Sequence, residues 1–346
     1  MATSTMVTTQ YLTFRPVRLM PMRPEGMAAD RRPHSRGAPA GHHAGGRLHG
    51  RQQTASPRPG MVDPGPAPLD EAALSAKQFR QLAAFIQERY GIRLPPAKKL
   101  MVESRLRRRL KETGQSSLGR YLEQVFSPEG EAGELLHMVD AITTNKTEFF
   151  READHFQVLA SQVLPHLAAL QPPAAMIRIW SAACSTGEEA YTLAMVLAEW
   201  TRSRPLRYAI LASDLSTRVL GAARQAIYRE DEVAAIPMAL RKRYLLRSKD
   251  RGLGLVQIGP GLRERVTFRR INLMDEDFGL AERQHIIFCR NVMIYFDKED
   301  QGRLMRHLHG QLAPGGFLFT GHSESLAGIQ VPFRPLAPAV YQRIDP

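Results

Sequence analysis

The chain has 346 residues, with 47 Lys and Arg against 34 Asp and Glu, a net charge of +13, 43% apolar residues and two cysteines. This length suggests about two folded domains. No uncharged apolar run reaches the roughly 18 residues that a membrane helix needs, and two cysteines cannot form a disulfide scaffold. A transmembrane protein and a small disulfide-rich secreted protein are therefore excluded.

The first 70 residues carry a net charge of +5 and contain 10 Pro and 8 Gly. Such a segment has too few large apolar residues to offset the entropy that ordering would cost. We expect 1–70 to be a disordered basic tail. A transit peptide and a start codon assigned too far upstream are alternatives that the sequence leaves open.

Apolar residues recur at helical spacing from Leu74 onward, which predicts a small all-α domain over 71–142. Its first helix ends at a Gly and Pro break, and further helices are predicted at 98–111, 118–126 and 131–142. The 98–111 helix holds seven basic residues against one acidic residue. Such a helix presents either a solvated face or a docking surface for an acidic partner.

Beyond residue 174 the pattern alternates between strands and helices. Strands are predicted at 177–181, 208–213, 266–270, 285–289 and 317–320. Helices are predicted at 188–200, 217–226 and 298–312. This βαβ alternation indicates a doubly wound, mostly parallel sheet. Glycines interrupt the pattern at 243–265, where we expect an inserted antiparallel ribbon.

The first predicted strand ends in a run of small residues, 182–187, directly before a helix. A ligand can approach the backbone amides there, although no P-loop lysine follows and Glu188 and Glu189 would repel phosphate. Asp214 ends the second strand, where a carboxylate either accepts the two hydroxyls of a ribose or caps the next helix. Together these features indicate an adenosine ligand without phosphates.

Two later strand ends carry an asparagine followed by an apolar residue. These pairs are Asn272 with Leu273 and Asn291 with Val292. Ligands bind at the carboxyl ends of the strands in open α/β sheets, so the apolar members could enclose an adenine ring while the amides bind its polar atoms. Turn capping and core packing are the structural alternatives for the same residues.

Four segments together resemble the CheR chemotaxis methyltransferases: TTNKTEFFRE at 143–152, WSAACSTGEE at 180–189, FCRNVMIYF at 288–296 and GHSE at 321–324. The resemblance implies an S-adenosylmethionine-dependent protein-glutamate O-methyltransferase that modifies the cytoplasmic helices of chemoreceptors and releases S-adenosylhomocysteine. It also implies an α/β fold: an all-α domain at 71–142, then a class I methyltransferase doubly wound sheet at 143–346 with a small antiparallel β-subdomain at about 243–265.

The resemblance assigns roles to individual residues. The cofactor-binding residues would be Asn145, Thr147, Arg151, Glu189, Asp214, Asn272, Leu273, Asn291 and Val292. Glu189 would meet the amino-acid end of the cofactor, and its 25-residue spacing to Asp214 favours it over Glu188. Arg151 and Tyr295 would lie near the transferred methyl group and position the substrate. No general base is needed, because a glutamate carboxylate is already ionised at neutral pH.

The resemblance also implies partners. Glutamate-rich receptor helices would dock on the basic 98–111 helix through Arg105, Arg107, Arg108 and Arg109. Some family members bind a receptor C-terminal peptide by adding a strand to the β-subdomain, and the sequence leaves that mode open here. We expect a cytoplasmic protein with no metal ion, no nucleic-acid partner and no membrane insertion, for which a monomer suffices.

Three other functions compete with this one. A non-catalytic S-adenosylmethionine sensor or adaptor of the same fold is the main alternative. A nucleic-acid methyltransferase is disfavoured, because aromatic stacking residues do not cluster near the arginine-rich helix. Nucleophilic catalysis by Cys184 is disfavoured, because no base lies near it in the sequence.

Overall fold

A computed structural model describes residues 19–21, 73–131, 133–170, 172 and 175–345 of the chain. The expected disordered tail, 1–70, lies outside the described residues except for 19–21. Within the described ranges, no helix is both long enough and apolar enough to cross a bilayer.

The chain after residue 73 begins with five helices: α1 (Ala76–Tyr90), α2 (Lys99–Thr113), α3 (Leu118–Val125), α4 (Pro128–Glu131) and α5 (Glu134–Ile142). A capping box starts α1, because Ser75 Oγ accepts from the N–H of Gln78 and the Gln78 side chain accepts from the N–H of Ser75. Gly91 ends it with φ 69°, and a Cβ there would lie 2.7 Å from Met274 Sδ. The predicted break therefore also marks a close contact with the second part of the chain.

The second part is a seven-stranded sheet made of β2 (Met176–Ala182), β3 (Arg207–Asp214), β7 (Val266–Arg270), β8 (Gln284–Cys289), β9 (Leu312–Thr320), β10 (Phe333–Ala337) and β11 (Val340–Arg343). The strand order is β10-β11-β9-β8-β2-β3-β7. Strands β9, β8, β2, β3 and β7 are parallel, while β10 and β11 form an antiparallel edge. The predicted doubly wound fold is confirmed.

Seven helices accompany the sheet: α6 (Ala153–Val158), α7 (Leu164–Leu170), α8 (Glu188–Thr201), α9 (Thr217–Gln225), α10 (Met238–Tyr244), α11 (Pro260–Arg263) and α12 (Lys298–Gln311). Helices α6 and α7 were not predicted from the sequence. They are joined through a π-helical turn at Leu159–Val163. Their buried face contains Phe156, Leu159, Val163 and Leu167. The π turn shifts the helical repeat within this face.

A smaller antiparallel sheet has the order β1-β5-β6-β4, built from β1 (Leu19–Pro21), β4 (Ile227–Arg229), β5 (Leu245–Ser248) and β6 (Leu255–Ile258). The predicted ribbon at 243–265 contains β5 and β6. Strand β4 pairs with β6, and residues 19–21 pair with the outer edge of β5. These two strands lie outside the predicted range, because three-residue strands are too short to show alternation in a sequence.

Candidate functional site

A cleft opens at the carboxyl ends of β2, β3, β7 and β8, beneath the loops that join the helical part to the sheet. Ten residues singled out from the sequence line it: Asn145, Thr147, Arg151, Glu189, Asp214, Asn272, Leu273, Asn291, Val292 and Tyr295. They come from five separate segments of the chain. The carboxyl ends of the strands predicted this place for Asp214, Asn272, Leu273, Asn291 and Val292, whereas the family resemblance alone predicted it for the other five. The individual contacts of all ten with a cofactor stay predictions.

The turn after β2 forms the floor of the cleft through unusual backbone conformations. Ala183 and Ser185 have φ values of 68° and 50°, and Gly187 has φ 99° just before α8. A Cβ at Gly187 would lie 3.0 Å from both Ala223 Cβ and Tyr228 Oη. Only glycine fits here, because both the positive φ and the close packing exclude a side chain.

Asp214 lies at the end of β3 and is 8% exposed. Its Oδ2 accepts from the N–H of Ser185 at 2.8 Å, and its Oδ1 accepts from the N–H of Ser216 at 3.0 Å. The helix N-cap of α9 is Ser216, so Asp214 does not serve as that cap. Burial raises the pKa of Asp214, against the hydrogen bonds from the two serine amides. Each carboxylate oxygen retains a lone pair for a ligand hydroxyl.

The two adjacent acids at the start of α8 have separate roles. Glu189 lines the cleft, where its carboxylate accepts from Ser181 Oγ at 2.6 Å and from Arg290 Nη1 at 3.3 Å. Glu188 instead accepts from Thr186 Oγ1 beside the helix N-terminus, where the helix dipole favours a negative charge. Burial raises the pKa of both carboxyl groups. The preference for Glu189 as the cleft residue agrees with this placement.

Arg290 pairs with two carboxylates from different helices, and no role was predicted for it from the sequence. Its side chain is 1% exposed and pairs with Glu152 at 3.0 Å as well as with Glu189. It also lies over the rings of Phe156 and Phe288. Glu152 in turn accepts from Asn291 Nδ2 at 3.0 Å. One buried guanidinium therefore orients carboxylates from α8 and from the start of α6.

The asparagines of the cleft have further contacts. Asn272 donates from Nδ2 to the carbonyl of Arg89 at 2.8 Å, which connects the sheet to α1. Its Oδ1 accepts from the N–H of Met274, a turn contact of the kind weighed as an alternative. Leu273 is 7% exposed and belongs to an apolar cluster with partly buried Val292 packed against it. Apolar surface for a flat ring is therefore present beside these amides.

The segment between α5 and α6 forms the rim of the cleft. The carbonyl of Asn145 accepts from Ser185 Oγ at 2.9 Å, and Arg151 Nη1 donates to the carbonyl of Lys146 at 3.1 Å. Tyr295 also lines the cleft, with Lys98 Nζ 5.5 Å from its ring centroid. The two residues predicted to position the substrate are thus both partly buried in the cleft wall.

The four arginines predicted to dock a receptor differ in their surroundings. Arg105 donates to the carbonyls of Ile142 and Thr143, and Arg109 pairs with Glu134 at 2.7 Å. These two hold α2 against α5. Arg107 and Arg108 are exposed, and Arg108 pairs only with Glu112 on the same helix. Of the four predicted docking residues, Arg107 and Arg108 therefore remain candidates for contact with a partner.

A histidine pair lies behind Arg290. One ligand atom from each of Glu152, His155 and His322 lies within 4.8 Å of the others, which is a possible cation cluster. The guanidinium of Arg290 already pairs with the Glu152 carboxylate, so a cation would meet an adjacent positive charge.

Burial raises the pKa of the Cys184 thiol well above its usual range, which keeps it protonated and poorly nucleophilic.

His155 makes the stability dependent on pH. Its burial, together with the charge of Arg290, lowers the pKa of His155 to about 4. The unfolded chain binds this proton near pH 6.5, so stability falls as the pH drops from 6.5 towards 4. We expect His155→Leu to remove about 2 kcal/mol of the stability difference between pH 7 and pH 5, as urea unfolding at these two pH values will measure. Equal pH slopes in the variant and the parent would contradict it.

Two family models match this chain, one on each side of residue 144. Residues 145–341 match the family described as "CheR methyltransferase, SAM binding domain", and residues 77–143 match "CheR methyltransferase, all-alpha domain". The chain belongs to the CheR methyltransferase family. A chemotaxis protein methyltransferase of Escherichia coli is 38% identical over 79% of this chain and 92% of that protein. Chemotaxis protein methyltransferase 2 of Pseudomonas aeruginosa is 39% identical over 80% of this chain and 97% of that protein.

The cleft of this CheR family member suits the cofactor that the family domain binds, S-adenosylmethionine. The carboxylate of Asp214 suits ribose hydroxyls, and the largely buried carboxylate of Glu189 suits a cationic amino group. Leu273 and Val292 line the same cleft with apolar surface of the kind that packs against a flat ring. The lysine and glycine pattern of a triphosphate loop is absent from the β2–α8 turn, in agreement with a ligand that has no phosphate.

Proposed function

We propose that this protein transfers a methyl group from S-adenosylmethionine to glutamate carboxylates on the cytoplasmic helices of chemoreceptors, for adaptation in chemotaxis-type signalling. The products would be glutamate methyl esters and S-adenosylhomocysteine. The single observation that carries the proposal is the gathering of all ten predicted residues around one cleft in a CheR family chain. Because the substrate helices are cytoplasmic, we place the activity in the cytoplasm.

The chemistry needs positioning more than acid or base catalysis. S-adenosylmethionine supplies a methyl group already activated by its sulfonium. A glutamate carboxylate has an ordinary pKa of about 4.3 and is ionised at neutral pH, so no residue has to remove a proton. The protein has to hold the carboxylate oxygen about 3 to 3.5 Å from the methyl carbon and exclude water. Arg151 and Tyr295 line the cleft, and in this proposal they orient that oxygen.

Transfer of a labelled methyl group to a purified receptor fragment tests this function. The expected product is label that is released as methanol in mild base, because carboxyl methyl esters hydrolyse there and N-methyl groups do not. We expect Tyr295→Phe and Arg151→Lys to lower kcat while S-adenosylhomocysteine still binds. Tight cofactor binding with no transfer would instead favour the sensor or adaptor. Normal turnover in both variants would contradict their positioning role.

The acceptor helix docks, in this proposal, along the exposed face of α2. Lys98 and Met101 line the cleft, and the exposed face continues from there through Leu100 to Arg107 and Arg108. Leu100 is 76% exposed, which gives this basic face an apolar contact for an amphipathic helix. An acidic helix would thus reach the mouth of the cleft along a complementary surface.

Charge reversal on this face gives a direct test. We expect the double change Arg107→Glu and Arg108→Glu to raise the KM for a receptor fragment about tenfold or more at low salt, because like charges then face each other. The effect will shrink at high salt, since exposed charges are screened. Arg306→Glu on α12 is the control, because Arg306 is also exposed but lies outside α2. An unchanged KM in the double variant would rule out this docking face.

A receptor C-terminal peptide is a second partner that we propose, with the β5 edge as its place. Residues 19–21 of the chain itself pair there antiparallel, from Leu19 opposite Ser248 to Pro21 opposite Leu246. This pairing supports the capacity of the edge to accept an added strand. A receptor peptide would take the place of residues 19–21.

One copy of the chain carries the whole cleft, so we propose a monomer as the working unit.

A further inference from the structure

The segment Gly321–Glu324 follows β9, and the proposed chemistry leaves it without a role. The carboxylate of Glu324 is nevertheless among the most highly connected in the described part of the chain. Glu324 is 5% exposed and accepts from the N–H groups of Asn291 at 2.7 Å, Met293 at 2.7 Å and Gly321 at 2.6 Å. One side chain from the loop after β9 therefore holds the backbone of the loop after β8.

The backbone of the second loop is shaped to receive an anion. Asn291 has φ 57°, a left-handed conformation that asparagine adopts more readily than most residues. A left-handed residue beside right-handed ones turns neighbouring N–H groups towards a common point, which forms an anion-binding concavity. Here the anion is the Glu324 carboxylate of the same chain.

The loop after β8 supplies five residues to the cofactor cleft, with Arg290 and Phe296 among them. Asn291, Val292 and Tyr295 line the cleft, whereas Glu324 does not. The side chain of Asn291 continues the connection to Glu152, and Glu152 pairs with Arg290. A shift of the loop would therefore move both the apolar wall of the cleft and the buried ion pairs beneath it.

The two loops lie too close together for a side chain between them. A Cβ at Gly321 would lie 2.6 Å from Asn291 Nδ2, 2.8 Å from Glu324 Oε2 and 3.0 Å from the Asn291 nitrogen. The loops after β8 and β9 are thus in close contact at Gly321.

We propose that Glu324 is a positioning residue for cofactor binding: its carboxylate fixes the 291–295 segment in the conformation that forms the cleft wall. It acts through Asn291 and Met293 and does not touch the cofactor itself. The inference rests on S-adenosylmethionine binding in the cleft and is independent of the choice of methyl acceptor.

Binding of S-adenosylhomocysteine by calorimetry tests the proposal without any receptor. Glu324→Gln keeps the shape of the side chain but replaces one acceptor oxygen with an amide NH2 group, a donor that faces the donating backbone N–H groups. We expect the Kd to rise about tenfold or more, at a temperature where circular dichroism shows the variant folded. Wild-type binding in the same experiment checks the cofactor assignment separately. An unchanged Kd in the folded variant would overturn the proposal.

Glu103→Gln is the matched control. Glu103 is 2% exposed and also accepts from a backbone N–H, that of Leu74 at 2.8 Å, but it lies in the helical part and outside the cleft. We expect this variant to lose thermal stability while its Kd for S-adenosylhomocysteine stays within about twofold of wild type. An equal loss of affinity in both variants would mean that general destabilisation, rather than positioning, explains the effect.

Hydrogen exchange on the unaltered protein keeps the proposal testable if Glu324→Gln does not fold. The amides of Asn291 and Met293 should exchange slowly both with and without S-adenosylhomocysteine, because Glu324 holds them before any ligand binds. Fast exchange without the ligand and slow exchange with it would show that the ligand orders the loop, and would overturn the proposal.

Discussion

Replacing Arg290 with methionine will lower the free energy of unfolding at pH 7 by about 3 to 5 kcal/mol, the range for removing one partner of a buried ion pair. The Arg290 side chain is 1% exposed and pairs with Glu152 and Glu189, which are 15% and 14% exposed. Methionine fills much of the same space but leaves both carboxylates without their cation. Urea unfolding of the full chain measures the loss.

The loss of stability in Arg290→Met should also depend on pH, which gives a second test of the prediction. Without Arg290, burial raises the pKa of both carboxyl groups above the value of about 4.5 in the unfolded chain. A carboxyl with a raised folded-state pKa loses stability as the pH rises through that window. The variant should therefore be closest to the parent near pH 5 and furthest from it at pH 7.

Arg178→Met is the control for Arg290→Met. Arg178 also pairs with a glutamate, Glu282, but these side chains are 36% and 55% exposed. Exposed pairs contribute little, so we expect a change within about 0.5 kcal/mol. A loss below about 1 kcal/mol in Arg290→Met would show that the buried network does not stabilise the fold as argued.

The largest effect on cofactor affinity is expected from Asp214→Asn. The amide keeps the size of the side chain but removes the charge and one acceptor, while the backbone N–H groups of Ser185 and Ser216 still point at it. Two charge-assisted hydrogen bonds to ribose hydroxyls, at about 1.5 kcal/mol each, correspond to roughly a 100-fold rise in the Kd for S-adenosylhomocysteine. Calorimetry on the folded variant measures it.

Asp140→Asn separates this effect from the loss of any buried carboxylate. Asp140 is 6% exposed and accepts from Thr217 Oγ1 at 3.0 Å and from the N–H of Arg218 at 3.2 Å, but it does not line the cleft. Its replacement should change the Kd by no more than about threefold. An affinity in Asp214→Asn close to that of wild type would remove Asp214 from the ribose site.

The strand ends were the predictable part of the site. Asp214, Asn272 and Asn291 each stand at or just after the end of a predicted strand, and the carboxyl ends of parallel strands meet at one edge of a sheet. Small residues and acids around Gly187 indicated where the ligand approaches the backbone. These signals are local in the sequence, so a single chain was enough to find them.

The parts of the site that were not predicted depend on contacts between residues far apart in the sequence. Arg290 meets Glu189 across 101 positions, and Glu324 meets Asn291 across 33, which no local pattern encodes. Arg105 and Arg109 were predicted to be docking residues because the acceptors that join them to the α5 end of the helical part lie 25 to 39 positions away. The apolar spacing of Phe156, Leu159, Val163 and Leu167 did indicate a helix at α6 and α7 and could have been used.

Peptide mass mapping of a receptor cytoplasmic fragment, after incubation with this protein and S-adenosylmethionine, tests the central claim most directly. The account predicts added methyl groups on glutamate side chains of the receptor helices, with none when Asp214→Asn replaces the wild-type protein at limiting cofactor. Methyl groups on lysine, arginine or nucleic acid, or an unmodified receptor despite bound cofactor, would contradict it.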